Sequence, residues 1–256
     1  MQKKLCLVAI FKNESHIIKE WIEHYIKEGV EKFFLIDNGS NDNYRPIISK
    51  YLARRIIDLV RDETKYAQND LYNKYFLTKC KEYTWVLVCD LDEFVYARKE
   101  FNTLNEYLTS LNDETDQILI PWKMFGSSGY NTLQHKQPEK VIPNFLYRTK
   151  TFNRIEFKSI TRTNKIFKLF AHRSHLLNEE NFMKNYFFIE INEEILNNMP
   201  LHLNHYVVQS LEWFSRVKAT RGDVFSSKYV CDINYFYKYD INELMDLELH
   251  SKQYKN

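Results

Sequence analysis

The stretch Trp85-Val86-Leu87-Val88-Cys89-Asp90-Leu91-Asp92-Glu93-Phe94 constrains the fold more than any other part of the chain. Five apolar residues in a row read as a strand buried on both faces. That strand then delivers three carboxylates, Asp90, Asp92 and Glu93, within four positions. Like charges this close repel strongly in a low-dielectric cleft, and a divalent cation removes the conflict. Hard cations such as Mg²⁺ and Mn²⁺ prefer oxygen ligands, often take only one or two protein carboxylates, and complete their shell with phosphates. Asp90 and Asp92 at a buried strand end therefore suit a metal–diphosphate site. Ordinary turns also produce D-x-D, so the flanking chain must carry the reading.

Before this strand, strands and helices alternate. Residues 5–11 form a buried strand. Residues 15–28 form an amphipathic helix with Ile17, Ile18, Trp21, Ile22, Tyr25 and Ile26 on one stripe. Asn13 or Ser15 suits its cap, and Gly29 its left-handed stop. Residues 32–36 form a second strand that runs into a polar turn at 37–42. Asp42 or Asn43 caps the next helix, with Pro46 in its first turn. A strand at 55–60, a helix at 65–81 and the strand at 85–89 complete a βαβ series with a parallel sheet. Ligands bind beyond the carboxyl ends of such strands, and Asn13, Asp37 and Asp90 all lie at those ends. The second half is less regular. It predicts a helix at 103–111, a strand at 117–122, antiparallel strands at 144–149, 156–161 and 165–170, and a helix at 210–220. The acidic, amphipathic segment after 238 is expected to end in a frayed tail.

Composition narrows the class. A chain of 256 residues buries a full core as one domain, and a net charge of +2 disfavours nucleic acid as a partner. No apolar run approaches bilayer length. Residues 1–11 read as a first strand rather than a signal peptide, because the run ends in Lys12-Asn13-Glu14 without a small-residue cleavage site. Four cysteines without C-x-x-C spacing suit reduced thiols in a cytosolic protein. His172-x-x-His175 and His202-x-x-His205 lack the helical or cysteine context of a zinc site.

Taken in order, the motifs resemble a known family. Phe11-Lys12-Asn13-Glu14 with Glu20-Trp21-Ile22 and Gly29, then Ile36-Asp37-Asn38-Gly39-Ser40 and Asp42, then Asp90-Leu91-Asp92-Glu93-Phe94, are similar to the family-2-like and family-92-like glycosyltransferases of the GT-A fold. Trp122 and Phe125-Gly126-Ser127-Ser128-Gly129 match the loop after the fifth strand. Lys158, Ile160 and Arg162, with His172 downstream, fit the next block; Asn204-His205-Tyr206, Ser210 and Arg221-Gly222-Asp223 fit the last. The likeness runs from about residue 5 to residue 223.

The resemblance implies a Rossmann-like GT-A α/β domain over residues 1–225: a mixed, mostly parallel sheet flanked by helices, with a smaller antiparallel region. Residues 1–100 would be the nucleotide-binding half, 101–225 the donor-sugar and acceptor half, and 226–256 a C-terminal extension. It implies transfer of a hexose from a nucleotide sugar, UDP-linked, to a hydroxyl of a glycan or glycolipid in bacterial surface polysaccharide or lipooligosaccharide synthesis. Asp90 and Asp92 would hold Mn²⁺ or Mg²⁺ on the diphosphate, with His205, or else His172, as a further ligand. Asp37 with Asn38 would contact the nucleoside, and Asn13 and Glu14 would line its pocket. Lys158 and Arg162 would reach the phosphates. Gly126, Ser127 and Ser128 would let the backbone approach the donor sugar, with Trp122 and Phe125 stacking on sugar. An inverting reaction needs a carboxylate base, for which Asp223 precedes Glu156. Apart from the resemblance, Lys3-Lys4 and Arg54-Arg55 read as ordinary solvated charges that could also help peripheral docking at the cytoplasmic face of an anionic inner membrane. Two other functions compete. A sugar nucleotidyltransferase expects glycine near the first strand, where Ala9-Ile10-Phe11-Lys12-Asn13-Glu14 has none. A non-catalytic carbohydrate- or partner-binding module needs no carboxylate triplet. Asp37-Asn38-Gly39-Ser40 also reads as a simple turn.

Overall fold

The computed structural model describes residues 3–132, 140–150, 156–178, 191–221 and 231–254. The first half follows the expected alternation: β1 (Lys3–Phe11), α1 (Ile18–Lys27), β2 (Lys32–Asp37), α2 (Tyr44–Ala53), β3 (Ile57–Arg61), α3 (Gln68–Cys80) and β4 (Tyr83–Val88). Then come β5 (Glu93–Ala97), α4 (Leu104–Ser110), β6 (Gln117–Met124), β7 (Tyr147–Arg148), β8 (Phe157–Arg162), β9 (Ile166–Lys168) and β10 (His175–Leu176). The chain continues through α5 (Glu193–Asn198), β11 (Leu201–His205), α6 (Leu211–Arg216), α7 (Ile233–Tyr239), β12 (Leu244–Met245) and α8 (Glu248–Tyr254).

Period-two alternation explains why the first strands stack into a two-faced layer. Leu5, Leu7, Phe33, Leu35, Trp85 and Leu87 share a core with Trp21, Ile22 and Tyr25 of α1 and Ile48 of α2. Cys6, Val8, Phe34, Ile36, Val86 and Val88 face the other way, against Leu71, Tyr72 and Phe76 of α3. Each such side chain contributes about 1.5–3 kcal/mol by burial. Gly29, at φ 95°, ends the first helix region as expected.

The main sheet has eight strands in the order β3-β2-β1-β4-β8-β6-β11-β5. β3, β2, β1 and β4 run parallel. β8 is antiparallel to β4 and to β6, and β11 is parallel to β6 but antiparallel to β5. This is the mixed, mostly parallel, helix-flanked sheet expected from the GT-A resemblance. β5 follows β4 in the chain yet lies at the far edge, four strand positions away, or ~19 Å in a flat sheet. A tight turn joins them, closed by a hydrogen bond from the Glu93 N–H to the Asp90 carbonyl. The sheet must therefore curl, and its curl brings the β5 edge back against the end of β4.

Residues 231–254 pack against the rest of the domain. Leu249 sits in the main core, and Phe236 packs with Trp213 and Phe214. β12 pairs with β7, and α8 occupies the segment expected to fray. Buried Lys123 explains this: its ammonium meets Asp246 at 2.9 Å and Tyr96 Oη at 2.7 Å. Among the described residues no helix is long and apolar enough to cross a membrane.

Candidate active site

A cleft of about 740 Å³ opens beyond the carboxyl ends of β1, β2 and β4. Its walls include Glu14, Asn38, Gln68, Asp90, Asp92, Glu156, His172, His205, Lys218 and Arg221. Register brings three polar turns to one edge, since Phe11 pairs with Asp37 and Val8 with Val88.

The residues expected as helix caps instead tie these turns together. The Asn13 N–H donates to Ser40 Oγ at 3.0 Å, Asn13 Oδ1 accepts from the Asn41 N–H at 2.8 Å, and the Ser15 N–H donates to Asp42 at 2.7 Å. α1 begins without a side-chain cap; its first amides use the Glu14 carbonyl. Asp37 is fully buried. It accepts from the Ser40 N–H at 2.7 Å, Tyr44 Oη at 2.8 Å and Arg61 Nη1 at 2.6 Å. Burial would raise its carboxyl, but these donors hold it below its ordinary range. Asp37 thus anchors the turn that carries Asn38. Asn38 does line the cleft, with its amide donating to the Asp62 and Thr64 carbonyls.

Trp21 and Tyr25 of α1 fix the turn that carries the carboxylates. Trp21 Nε1 donates to the Asp90 and Glu93 carbonyls at 3.0 and 3.1 Å, and Tyr25 Oη donates to the latter at 3.1 Å. Asp90 accepts from Lys158 Nζ at 2.6 Å and Gln68 Nε2 at 3.3 Å. Asp92 accepts from Lys218 Nζ at 2.8 Å, and its other oxygen lies 3.5 Å from His205 Nε2. Burial alone would raise the Asp92 carboxyl; Lys218 and His205 outweigh it and hold the group well below the usual carboxylate range. Burial pushes Glu93 up to about 7, against the pull of Lys158. Trp122 packs against His205 and His172, with ring centroids 4.3 and 5.5 Å away. Burial and Lys158 lower His172 to about 4, so its ring is neutral at physiological pH.

Several expectations about cations and loops are corrected. Lys158 is fully buried, and Nζ contacts Asp90, Glu93 at 3.3 Å and the Ala171 carbonyl. It meets the carboxylates from within the core. Arg162 pairs with Trp85, well before the carboxyl end of β4. Its guanidinium donates to the Thr115 and Asn112 carbonyls and lies over the Trp85 ring. The Gly126–Ser128 loop, expected to approach a donor sugar, packs against the C-terminal segment. The Ser127 and Ser128 N–H groups donate to Asp240 and Asn242, and a Cβ at Gly126 would meet Asn242 at 2.5 Å. Phe125 is core, packed against Tyr206. Glu156 lines the cleft. Asp223 lies outside the described residues.

The sequence reading missed Lys218 and Arg221. They lie in a 3-10 turn and just after it, beyond α6. Arg221 donates to Glu14 at 2.5 Å and to the Asn13 carbonyl. In the sequence both look like solvated charges on a helix; Arg221's place in the last motif was the one available signal.

The donor set can be tested for a divalent cation. Among the described residues no group of three or more His, Cys, Asp and Glu side chains is gathered as a protein-only metal site. A cation that takes phosphate oxygens needs fewer protein ligands. Asp92 Oδ1 and His205 Nε2 converge at 3.5 Å, and Asp90 lines the same cleft. Buried Glu93 Oε1 and His205 Nδ1 are left without hydrogen-bond partners among the described residues. This set fits a cation shared with a diphosphate.

Fold and cleft together define an α/β protein with an open cleft at the strand ends. Residues 4–234 match the sequence model of Glycosyltransferase family 92, and the chain belongs to that family. A family 92 protein of Ricinus communis is 23% identical over 154 residues, covering 57% of this chain and 26% of that protein. One of Oryza sativa subsp. japonica is 24% identical over 140 residues, covering 52% and 23%. The chain thus spans about a quarter of the length of these curated relatives. Among solved structures, S. aureus TarS in complex with UDP-GlcNAc aligns with a TM-score of 0.39 at 21% identity, covering 62% of this chain and 45% of that one.

Proposed function

We propose that the chain transfers a hexose from a nucleotide-sugar donor to an acceptor hydroxyl on a glycan or glycolipid, with a divalent cation in the cleft. The observation that carries this is the meeting of Asp90, Asp92 and His205 with Lys218 and Arg221 in one cleft at the strand ends. Such a mixture suits a cation-bound diphosphate better than either charge alone would. The uridine nucleotide and the surface-polysaccharide setting rest on the family likeness.

Asp92 and His205 would hold Mn²⁺, or Mg²⁺, with Asp90 beside them. Bound there, the cation would stabilise charge developing on the leaving diphosphate. Lys218 and Arg221 lie where they can exchange Asp92 and Glu14 for phosphate oxygens. A carboxylate base, Asp223 or else Glu156, would take the acceptor's hydroxyl proton while that oxygen bonds to the anomeric carbon and the carbon–oxygen bond to the diphosphate breaks, inverting the centre. Trp122 offers its ring to a sugar. Docking at an anionic membrane through exposed Arg54 and Arg55 belongs to the same proposal.

A thermal-shift screen of nucleotide sugars with Mn²⁺ or chelator tests it, since a ligand of the native state raises the melting temperature. A Mn²⁺-dependent shift with one nucleotide-sugar class, followed by its turnover to the nucleoside diphosphate without added pyrophosphate, is expected. Turnover that needs added pyrophosphate and yields a nucleoside triphosphate and a sugar 1-phosphate would favour a nucleotidyltransferase. Binding without turnover on any acceptor tried would favour a binding module.

A further inference from the structure

The cleft has two ends of different character. The turns after β2 and β3 close one end, with Asn38, Glu63 and Thr64. In sheet order β4, which leads to Asp90 and Asp92, separates those strands from β6. On the β6 side, Tyr235 and Tyr239 of α7 line the cleft with Trp122. Three contacts hold α7 there. Asp232 caps the helix by accepting from the Tyr235 N–H at 3.1 Å, and the Phe236 ring packs on Phe214 with centroids 5.3 Å apart. Asp240, just past the helix, accepts from the Ser127 N–H at 2.6 Å and ties α7 to the loop after β6.

Tyr235 and Tyr239 are four residues apart and so share one helix face. Their ring centroids are 4.5 Å apart, and Phe214 backs Tyr235 nearly parallel, at 15° and 6.1 Å. Neither phenol makes a hydrogen bond among the described residues. Burial raises the Tyr235 phenol, and Cys231, Tyr239, Asp92 and Glu156 add to the rise, so the group is neutral and free to donate or accept. A pyranose suits such a wall. One face of the sugar carries C–H groups, and its rim carries hydroxyls. The negative face of an aromatic ring attracts the C–H groups, and a phenol at its edge serves the rim. Both tyrosines follow residues 4–234, so the family match assigns them nothing.

We propose that Tyr235 and Tyr239 form the acceptor wall of the cleft, and that the acceptor is a glycan whose accepting pyranose lies with its apolar face on these rings. The word acceptor rests on the transferase reading above; the contact between carbohydrate and α7 does not.

Saturation-transfer NMR on the whole chain tests this, with methyl β-galactoside, methyl β-glucoside and methyl β-N-acetylglucosaminide as probes, in the presence and absence of Mg²⁺ and UDP. In chain deuterated except at its tyrosines, saturating the ring protons is expected to reach protons on one face of at least one probe. Tyr235→Phe with Tyr239→Phe replaces both rings by deuterated ones of the same shape, so the packing is kept and the transfer is expected to vanish. Tyr235→Leu keeps apolar bulk without a flat face; it is expected to raise the acceptor KM about 10-fold while the donor KM moves far less. No transfer to any probe overturns the proposal, whether or not the leucine variant folds. Transfer that survives the double substitution also overturns it, as does a Tyr235→Leu acceptor KM that rises no more than the donor KM. Transfer that vanishes as expected, in a chain that neither binds UDP nor turns over any nucleotide sugar, supports the carbohydrate wall and overturns the transferase reading alone.

Discussion

Two networks of buried lysine and carboxylate stand on opposite sides of this sheet, and they differ in one respect. At the rear, Lys123, Arg148, Asp246 and Glu248 close on one another with Tyr96 and His202. Arg148 Nε meets Asp246 at 2.7 Å, and His202 bridges Glu248 and the Leu196 carbonyl at 2.8 Å each. None of these side chains has a buried polar atom without a partner. At the cleft, Lys158, Lys218, Asp90, Asp92 and Glu93 form a similar set, yet atoms without a hydrogen-bond partner among the described residues surround it: Glu14 Oε2, Gln68 Oε1, Glu93 Oε1, Trp122 Nε1, His205 Nδ1 and Arg221 Nε. An unsatisfied buried polar atom costs about 1–3 kcal/mol. Charge content alone would make both networks sites. Incomplete satisfaction marks the cleft as the one shaped for a ligand, and the rear network as the clamp that fastens the C-terminal segment.

The strongest way to break this contrast is to remove one aspartate from each side. Asp92→Asn should lower nucleotide-sugar turnover by at least ~100-fold, as when transition-state charge stabilisation is removed, and should cost less stability than the rear substitution because Lys218, unlike Lys123, keeps contact with solvent. Asp246→Asn leaves Lys123 and Arg148 undercompensated in the interior and should destabilise the fold by roughly 3 kcal/mol. Its activity per folded molecule should stay near wild type. Chemical denaturation beside a turnover assay separates the two; equal stability losses would erase the distinction.

A smaller effect is expected at the two histidines. His205→Ala should raise the Mn²⁺ needed for half-maximal activity by about 10–100-fold. His202→Ala, in the rear network, should lower stability and leave the Mn²⁺ curve in place. An unshifted curve for His205→Ala passes the ligand role to His172.

Smaller again is the expectation for Lys218→Ala: a folded protein with donor KM raised about 10-fold, the size expected from losing one charge-assisted contact. An unchanged KM would confine Lys218 to its pairing with Asp92.

The smallest effect separates the networks by pH. Burial would raise the Asp246 and Glu248 carboxyls, but Lys123 and, for Glu248, His202 hold them low. Their stabilisation is therefore present above the unfolded carboxylate range and lost as pH falls through their lower folded values. Glu20, on α1, shows the opposite sign: burial raises it to about 7. Its contribution is present below the unfolded value and is lost as pH rises through about 7. Glu20→Gln should thus make the decline in melting temperature between pH 5 and 8 shallower than in wild type, which a pH series of melts checks.

The same contrast explains what the sequence could show. β1 to β4 are legible because each alternates apolar residues between two helix-covered faces. β11, Leu-His-Leu-Asn-His, does not read as a strand; its burial comes from lying between β6 and β5, which are distant in sequence. The tail reads as frayed because the partners of Asp246, Lys123 and Arg148, lie about a hundred residues away. Asp90, Asp92 and His205 were legible as cleft residues from strand-end placement and motif order. Lys158 and Arg162 were misplaced because residue type suggests an anion, while burial and register decide which one a cation meets.

Hydrogen exchange with and without Mn²⁺ and UDP tests the central claim most directly. The account predicts protection at 12–14, 63–68, 89–93 and 217–221, lost on chelation, with 244–252 unchanged. Protection confined to 244–252, or protection at the cleft that persists in chelator, would contradict it.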